Sequence, residues 1–479
     1  MMGRIFLFIL CLCLSSSCFF RPNYTRPRID IPEKWRMSTP EACCFANVRW
    51  WEELGDPLLN SYILEALENN NDLKVALATV DQFYGQFRLY YAQLFPQIYG
   101  NGSADRQELS LQGNIGLTEK LRLMNNFALL LSCAYELDIW GRLYAASDAA
   151  LAQYLAQIQA RRTVVLTLVS SVAASYLMLR QYDEQLQVAQ ATLKSFQQSL
   201  QLMTDRFLGG AISELPVEQA RSEMDSAGIQ VKELEIKVAQ QENLLSILLG
   251  RNPGDIQRGK MLVQLHQPPC VPAGIPSSIL EQRPDVMEAE LNLIAAHSNV
   301  GVAKANFFPV ISLTGFYGNE SFELNKLFRG SARAWQFGAT IAQPIFNGGF
   351  YVGQLEIANA REQEALYSYF STIQTAFKEV DDALIAHTKT LELLEIQKDQ
   401  VKALEKYLYL AQLEYDNGQV DYLNVLDAQR NLFSSQLNLV ESRSAAYLTL
   451  IDIYKALGGG WVLEADTIAI EGEDLIEPL

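Results

Sequence analysis

Two patterns of apolar and polar positions alternate along the chain. The first has a period of two. Between Asn126 and Trp140, Phe127, Leu129, Leu131, Cys133, Tyr135, Leu137 and Ile139 fall on one parity, and Asn126, Ala128, Leu130, Ser132, Ala134, Glu136 and Asp138 on the other. Successive side chains of a strand point to opposite faces, so this reads as a strand with one apolar and one more polar face. Gln97 to Gln107, Val310 to Asn319 and Ala334 to Phe346 read as three further strands. The second pattern has heptad spacing. Val401, Leu404, Leu408, Ala411 and Tyr415 are spaced 3, 4, 3, 4, and Leu423, Leu426, Arg430, Phe433, Leu437 and Val440 continue it. That spacing predicts a coiled-coil seam. Arg430 in a seam needs a partner or water, and Asp427 lies three residues before it.

The helical stretches are long. Arg142 to Leu208 and Gln354 to Asn417 contain no proline and no glycine. At 1.5 Å per residue each predicts a helix of roughly 95–100 Å. Gly210 and Gly418 supply the left-handed turn at which each long helix ends, and Asp421 is placed to cap the helix that follows. The two hairpins match at a fixed offset of 208 residues: Phe207 with Tyr415, Gly210 with Gly418, Leu215 with Leu423, Ala220 with Ala428 and Gly250 with Gly458. A constant offset over the whole hairpin is the mark of a duplication. Each copy runs helix, strand, strand, long helix, hairpin, helix. Residues 57–250 form the first repeat and 277–458 the second, joined by a Pro-rich linker at 251–276 and followed by an acidic tail at 459–479. In the first repeat a helix opens at Asp56-Pro57 and runs to about Leu94, with a break at Asn69-Asn70-Asn71. In the second repeat one helix is expected from Ser277 to Asn306.

The strands reach the length that crosses an outer membrane, about 9–11 residues each. Four per chain do not close a barrel, so a membrane role implies pooling between subunits. The charge-free run Thr163 to Leu179 is short for a bilayer span and contains five serine and threonine residues, so it reads as a buried helix of a bundle.

The N-terminus reads as a secretion signal over 1–17: Arg4 precedes an apolar run from Ile5 to Leu14. Leu14-Ser15-Ser16-Ser17-Cys18 is a lipoprotein-type cleavage site that makes Cys18 the lipidated first residue of an arm at 18–56. Ser15 stands where that pattern usually has leucine. Cys43, Cys44, Cys133 and Cys270 show no zinc-ligand spacing, and adjacent Cys43 and Cys44 cannot bond each other without strain. A net charge of −17 with no basic stripe excludes nucleic acid as a partner. There is no phosphate loop, no dinucleotide fingerprint, no nucleophile elbow and no spaced pair among the three histidines. No enzyme, cofactor or resident metal is expected, and nine methionines and three histidines form no ladder for metal export.

Several motifs together resemble a known family. They are Pro22-x-Tyr24 with Trp35, Trp50-Trp51 with Asp56-Pro57, and Glu136-Leu137-Asp138-Ile139-Trp140-Gly141-Arg142. Further along come Gly274-Ile275-Pro276-Ser277, Glu281-Gln282-Arg283-Pro284-Asp285-Val286, Phe307-Phe308-Pro309, Tyr422 to Arg430, and Ala456-Leu457-Gly458-Gly459-Gly460-Trp461. The chain resembles the TolC-like outer-membrane factors, in their lipoprotein (OprM/NodT) branch. The resemblance implies a mixed α and β fold, mostly α: a homotrimer with a twelve-stranded outer-membrane β-barrel continuous with a periplasmic α-helical barrel. It implies a passive exit duct of a tripartite efflux system, lipid-anchored in the outer membrane. The partners it implies are a periplasmic adaptor and an inner-membrane transporter of the RND type. It also implies a periplasmic gate at Leu423, Asp427 and Arg430. Asn424 and Pro216 stand where relatives carry further aspartates, so charge at the gate rests on Asp427. The readings left beside this one are a duct for type I protein secretion and a coiled-coil scaffold without a pore.

The cleavage reading generates a direct expectation. Cys18→Ser abolishes metabolic lipid labelling and slows signal removal; unchanged labelling refutes the anchor.

Overall fold

The computed structural model describes residues 23–32, 35–36, 49–108, 110, 123–266, 279–458 and 461–470. The signal, Cys18, Cys43, Cys44, Cys270, the Gly274 to Ser277 motif and the tail beyond 470 lie outside the described residues.

A short helix, α1 (Trp50–Glu53), precedes the first repeat, which contains α2 (Pro57–Asn69), α3 (Asn71–Ala92), β1 (Gln97–Glu108), β2 (Leu123–Leu137), α4 (Arg142–Leu208) and α5 (Leu215–Leu248). The second contains α6 (Ile279–Gln282), α7 (Pro284–Ala305), β3 (Val310–Ser321), β4 (Arg333–Ala342), α8 (Phe350–Asp416) and α9 (Tyr422–Leu457), and α10 (Trp461–Ile470) follows. Both ends of α4 and α8 are 208 residues apart, 142 against 350 and 208 against 416. Both ends of α3 and α7, and of β1 and β3, are 213 apart: 71 against 284, 92 against 305, 97 against 310 and 108 against 321. The chain folds into two compact units that cut across these repeats, each drawing on both.

Local chemistry sets the breaks. Asp56 accepts from Leu58 N at 3.0 Å and caps α2, with Pro57 in its first turn. The break expected among three asparagines falls at Asn70, which turns extended. Its Oδ1 accepts from Leu73 N at 3.0 Å and its Nδ2 donates to Leu248 O at 2.9 Å. The single helix expected from Ser277 to Asn306 is instead α6 and α7, separated at Arg283. Pro284 has no N–H to continue α6, but it suits the first position of a new helix. The last strand also ends early, at Ala342 rather than Phe346. Pro344 cannot donate to a ladder, and Gln343 Nε2 donates to Phe307 O at 3.0 Å instead.

One unit comprises residues 1–28, 79–157 and 289–369 and contains the four strands, antiparallel in the order β1-β2-β3-β4. The registers decide which side chains share a face. Leu131 faces Gly100 on one side and Tyr317 on the other, and Tyr317 faces Trp335. Even positions of β1 therefore lie with odd positions of β2, β3 and β4. That face holds Ile98, Phe127, Leu129, Leu131, Leu313, Tyr317, Trp335, Phe337 and Ile341. The opposite face holds Asn101, Ser103, Asp105, Asn126, Ser132, Thr314, Glu320, Gln336 and Thr340, with Tyr99, Leu130 and Phe316 among them. On it Asn101 donates to Ser132 Oγ at 2.7 Å and Asn126 to Glu320 at 2.9 Å. Phe337 is 74% exposed, and Leu131, Trp335 and Ile341 are exposed with it. These large apolar side chains stand uncovered in the single chain, and among the described residues no strand pairs with the outer edges of β1 and β4.

The other unit comprises 29–78, 158–288 and 370–479. Its core includes the run from Thr163: Val165, Val169, Val172, Ala173, Tyr176 and Leu177 are all buried, as expected for a bundle helix. Trp50, Trp51, Tyr454 and Trp461 form an aromatic box, with Trp50 stacked on Tyr454 at 5.4 Å and Trp461 edge-on to Trp51 at 5.6 Å. The last helix is tied down by charge. Asp466 accepts from Arg161 at 2.8 and 2.7 Å and from Arg162 at 3.2 Å. Asp56 is buried and accepts from Tyr176 Oη at 2.7 Å and Lys260 N at 3.0 Å. Burial, with the neighbouring carboxylate, raises the Tyr176 phenol, so it serves as a neutral donor.

Asp466 and Arg161 are almost fully buried, so removing one leaves the other charge uncompensated. Asp466→Ala is expected to cost about 3–5 kcal/mol, read as a fall in the denaturant midpoint. Thr467→Ala, at an exposed neighbour, serves as the control; equal loss in both would contradict the account.

Candidate functional site

The hairpin ends of the two repeats pack together in the second unit. Met203 from α4, Val217 and Ala220 from α5, Ala411 from α8, and Tyr422, Val425, Leu426 and Ala428 from α9 form one buried cluster. The two turns share one geometry. Gly418 N donates to Tyr415 O and Gln419 N to Glu414 O, both at 2.9 Å. Gly210 N to Phe207 O and Ala211 N to Arg206 O repeat it at 2.9 Å. This is the paired capping pattern that needs a left-handed residue, and Gly210 and Gly418 have φ of +76° and +73°. Asp421 sits at the cap position of α9, but its side chain makes no cap bond; its carbonyl accepts from Asn424 N at 3.0 Å instead.

The seam drawn through α9 needs correction at its start. Tyr422, Val425 and Leu426 face the cluster, whereas Leu423 is 58% exposed and Arg430 is exposed. Heptad spacing marks apolar positions without showing which neighbour covers them. Here the inner face lies one residue earlier, so Arg430 carries no burial cost. Leu423, Asp427 and Arg430 are four and three residues apart and share the outer face of α9. Arg430 Nη2 donates to Asp427 Oδ1 at 2.7 Å, and Asn431 Nδ2 donates to Oδ2 at 3.0 Å. Asn424 and Asn431 are exposed beside them. Both carboxylate oxygens of Asp427 therefore accept a hydrogen bond from the next turn of α9. Pro216 lies in the first turn of α5.

A buttress behind this face escaped the sequence reading. Tyr415 and Tyr422 pack ring to ring at 5.4 Å. Arg206 Nη1 donates to Tyr415 Oη at 2.8 Å, and its guanidinium lies 5.3 Å from the ring centroid. Tyr415 Oη in turn points at Met203 Sδ, 3.8 Å away. Burial raises the Tyr422 phenol. The available signal was an aromatic residue on each side of the Gly418 turn, facing a cation just before the Gly210 turn.

The family described as outer membrane efflux protein matches residues 62–251 and 275–459. The chain belongs to this family. Among relatives of this outer membrane efflux protein, the cation efflux system protein CusC of Escherichia coli is 37% identical over 456 residues, covering 94% of this chain and 98% of its own. The probable efflux pump outer membrane protein TtgC of Pseudomonas putida is 37% identical, covering 93% of each chain. The Campylobacter jejuni CmeC outer membrane channel superposes with a TM-score of 0.88 at 25% identity, covering 94% of this chain and 99% of its own. The efflux protein described here is thus an outer-membrane channel, and its mixed, mostly helical fold is that of these relatives.

Proposed function

We propose that three copies of this chain pool their strands into one closed twelve-stranded barrel. The long helices continue it into the periplasm, and the assembly conducts small molecules passively outward. The observation that carries the reading is the four-stranded sheet with a more apolar face, a more polar face and two edges that no described strand pairs. A barrel in lipid needs an apolar outside, a polar inside and no edge. A scaffold without a pore has no use for exposed Phe337, Trp335 and Leu131 on one face. The assembly performs no catalysis; it takes substrate from an inner-membrane transporter through a periplasmic adaptor. RND-type transporters fit the lipoprotein branch that the motifs resemble, and Cys18 supplies the lipid anchor. The names of relatives such as CusC and TtgC concern efflux pumps, one of them for cations, which supports export of small solutes over export of proteins.

In this reading the hairpin tip is the gate. Leu423 gives an apolar constriction and Asp427 a charged one, one helical turn apart on the same face. Three Asp427 carboxylates around a narrow axis attract cations, and each is partly offset by its own Arg430. The buried cluster of both hairpins backs this face, so the tip can move as a unit on its two glycine turns.

Single-channel recording in planar bilayers tests the assignment. Leu423→Ala with Asp427→Ala raises conductance and passes larger solutes, and Asp427→Ala alone weakens block by divalent cations. Unchanged conductance in an assembled double variant places the constriction elsewhere.

A further inference from the structure

The duplication extends to the strand pairing itself. Within the first repeat Gln97 faces Ala134, and within the second Val310 faces Ala342. Moving Gln97 forward by 213 gives Val310, and moving Ala134 forward by 208 gives Ala342. These are the offsets that relate β1 to β3 with α3 to α7, and α4 to α8. Every pair of the first hairpin that has a counterpart in the second obeys the same rule; Ile98 with Cys133 becomes Ile311 with Ile341. The two hairpins are therefore equivalent residue by residue.

The chain also contains one junction between hairpins, where β2 pairs with β3 and Leu131 faces Tyr317. If the sheet closes with further copies, the junction between chains joins β4 to β1 and is the counterpart of this one. Carrying Leu131 forward by 208 gives Ala339, and carrying Tyr317 back by 213 gives Ala104. We propose that β4 pairs antiparallel with β1 of a second copy, with Ala339 opposite the partner subunit's Ala104. Ile341 then lies opposite the partner subunit's Gly102, and Phe337 opposite the partner subunit's Arg106. This rests on the closed-ring reading above and adds to it a single register for the interface.

The same pairings show which face each strand carries to the interface. The in-chain pairings put odd residues of β4 and even residues of β1 on the apolar face. The register drawn from the duplication matches odd with even throughout, so the face that carries Leu131 and Tyr317 continues across the interface, with Arg106 near its end. A slip of one residue would set Phe337 opposite Asp105 or Gln107 and turn one strand's apolar side to the wrong face. A slip of two keeps the faces, and only the duplication argues against it. The discriminating experiment therefore compares registers two residues apart.

The test is disulfide trapping in the full-length chain in outer membranes, with Cys43, Cys44, Cys133 and Cys270 replaced by serine. Ala339→Cys is combined with Ala104→Cys, and Thr340→Cys with Ser103→Cys. Adjacent antiparallel pairs alternate between two Cα spacings of about 4.5 and 5.5 Å, so one of these two pairs has the closer spacing. Within one chain the two positions are three strand spacings apart and also displaced along the strands, so they are separated by more than roughly 14 Å, beyond the roughly 7 Å that a disulfide spans. Any bond is therefore between copies. Under oxidation most of the in-register protein should run as a covalent trimer in denaturing gels. Ala339→Cys with Gly102→Cys, and Ala339→Cys with Arg106→Cys, should give only traces. Stronger trapping in either shifted pair overturns the register and leaves the ring standing. An assembled oligomer in which no pair traps overturns the pairing of β4 with β1. A chain that stays monomeric in the membrane overturns the ring reading itself.

Discussion

Unpaired backbone at the edges of the sheet is the constraint on which the rest depends. Among the described residues no strand pairs with the outer edge of β1 or of β4, which leaves a row of N–H and C=O groups there without a ladder. In water such an edge is an aggregation hazard, and in hydrocarbon each unmatched group costs several kcal/mol. Four strands do not curl far enough to meet each other, so closure has to come from other copies. The composition of the strands fits that demand. The face with Leu131, Tyr317, Trp335 and Phe337 tolerates lipid, and the face with Asn101, Ser132, Thr314 and Gln336 tolerates water.

The duplication is the second organising fact. The offset is 213 residues from α3 to α7 and from β1 to β3, and 208 through the second strand and long helix of each repeat. The five-residue difference therefore lies in the segment joining the two strands of each hairpin, between β1 and β2 in one repeat and between β3 and β4 in the other. Connections of this kind absorb insertions at little cost, whereas a slip inside a strand would exchange its two faces. The 67-residue helices have kept their length to the residue. At the tip, Met203 and Ala411 meet Val217 and Leu426 in one cluster, and a change in either helix would misalign it.

Much of this was legible in the residues. The ends of α4 fell where Gly141 and Gly209 bound a run free of glycine and proline, and the parity of Phe127 to Leu137 announced a two-faced strand. The Arg430 and Asp427 pair followed from a spacing of three. Other features were hidden for physical reasons. A heptad count could not show that the buried face of α9 passes through Tyr422 and Val425 and leaves Leu423 outside, because spacing alone does not identify the covering neighbour. The capping side chain expected of Asp421 competes with the backbone carbonyl of the same residue, and the backbone prevails. The buried pair of Arg161 with Asp466 joins residues 305 positions apart, beyond any local pattern.

The central claim is that one chain supplies a third of a pore. Native mass measurement of the detergent-purified chain, paired with ion conduction by the same preparation in planar bilayers, tests it most directly. The account predicts a trimer that conducts and no conductance from monomer separated from it. A monomer that conducts ions by itself would contradict it.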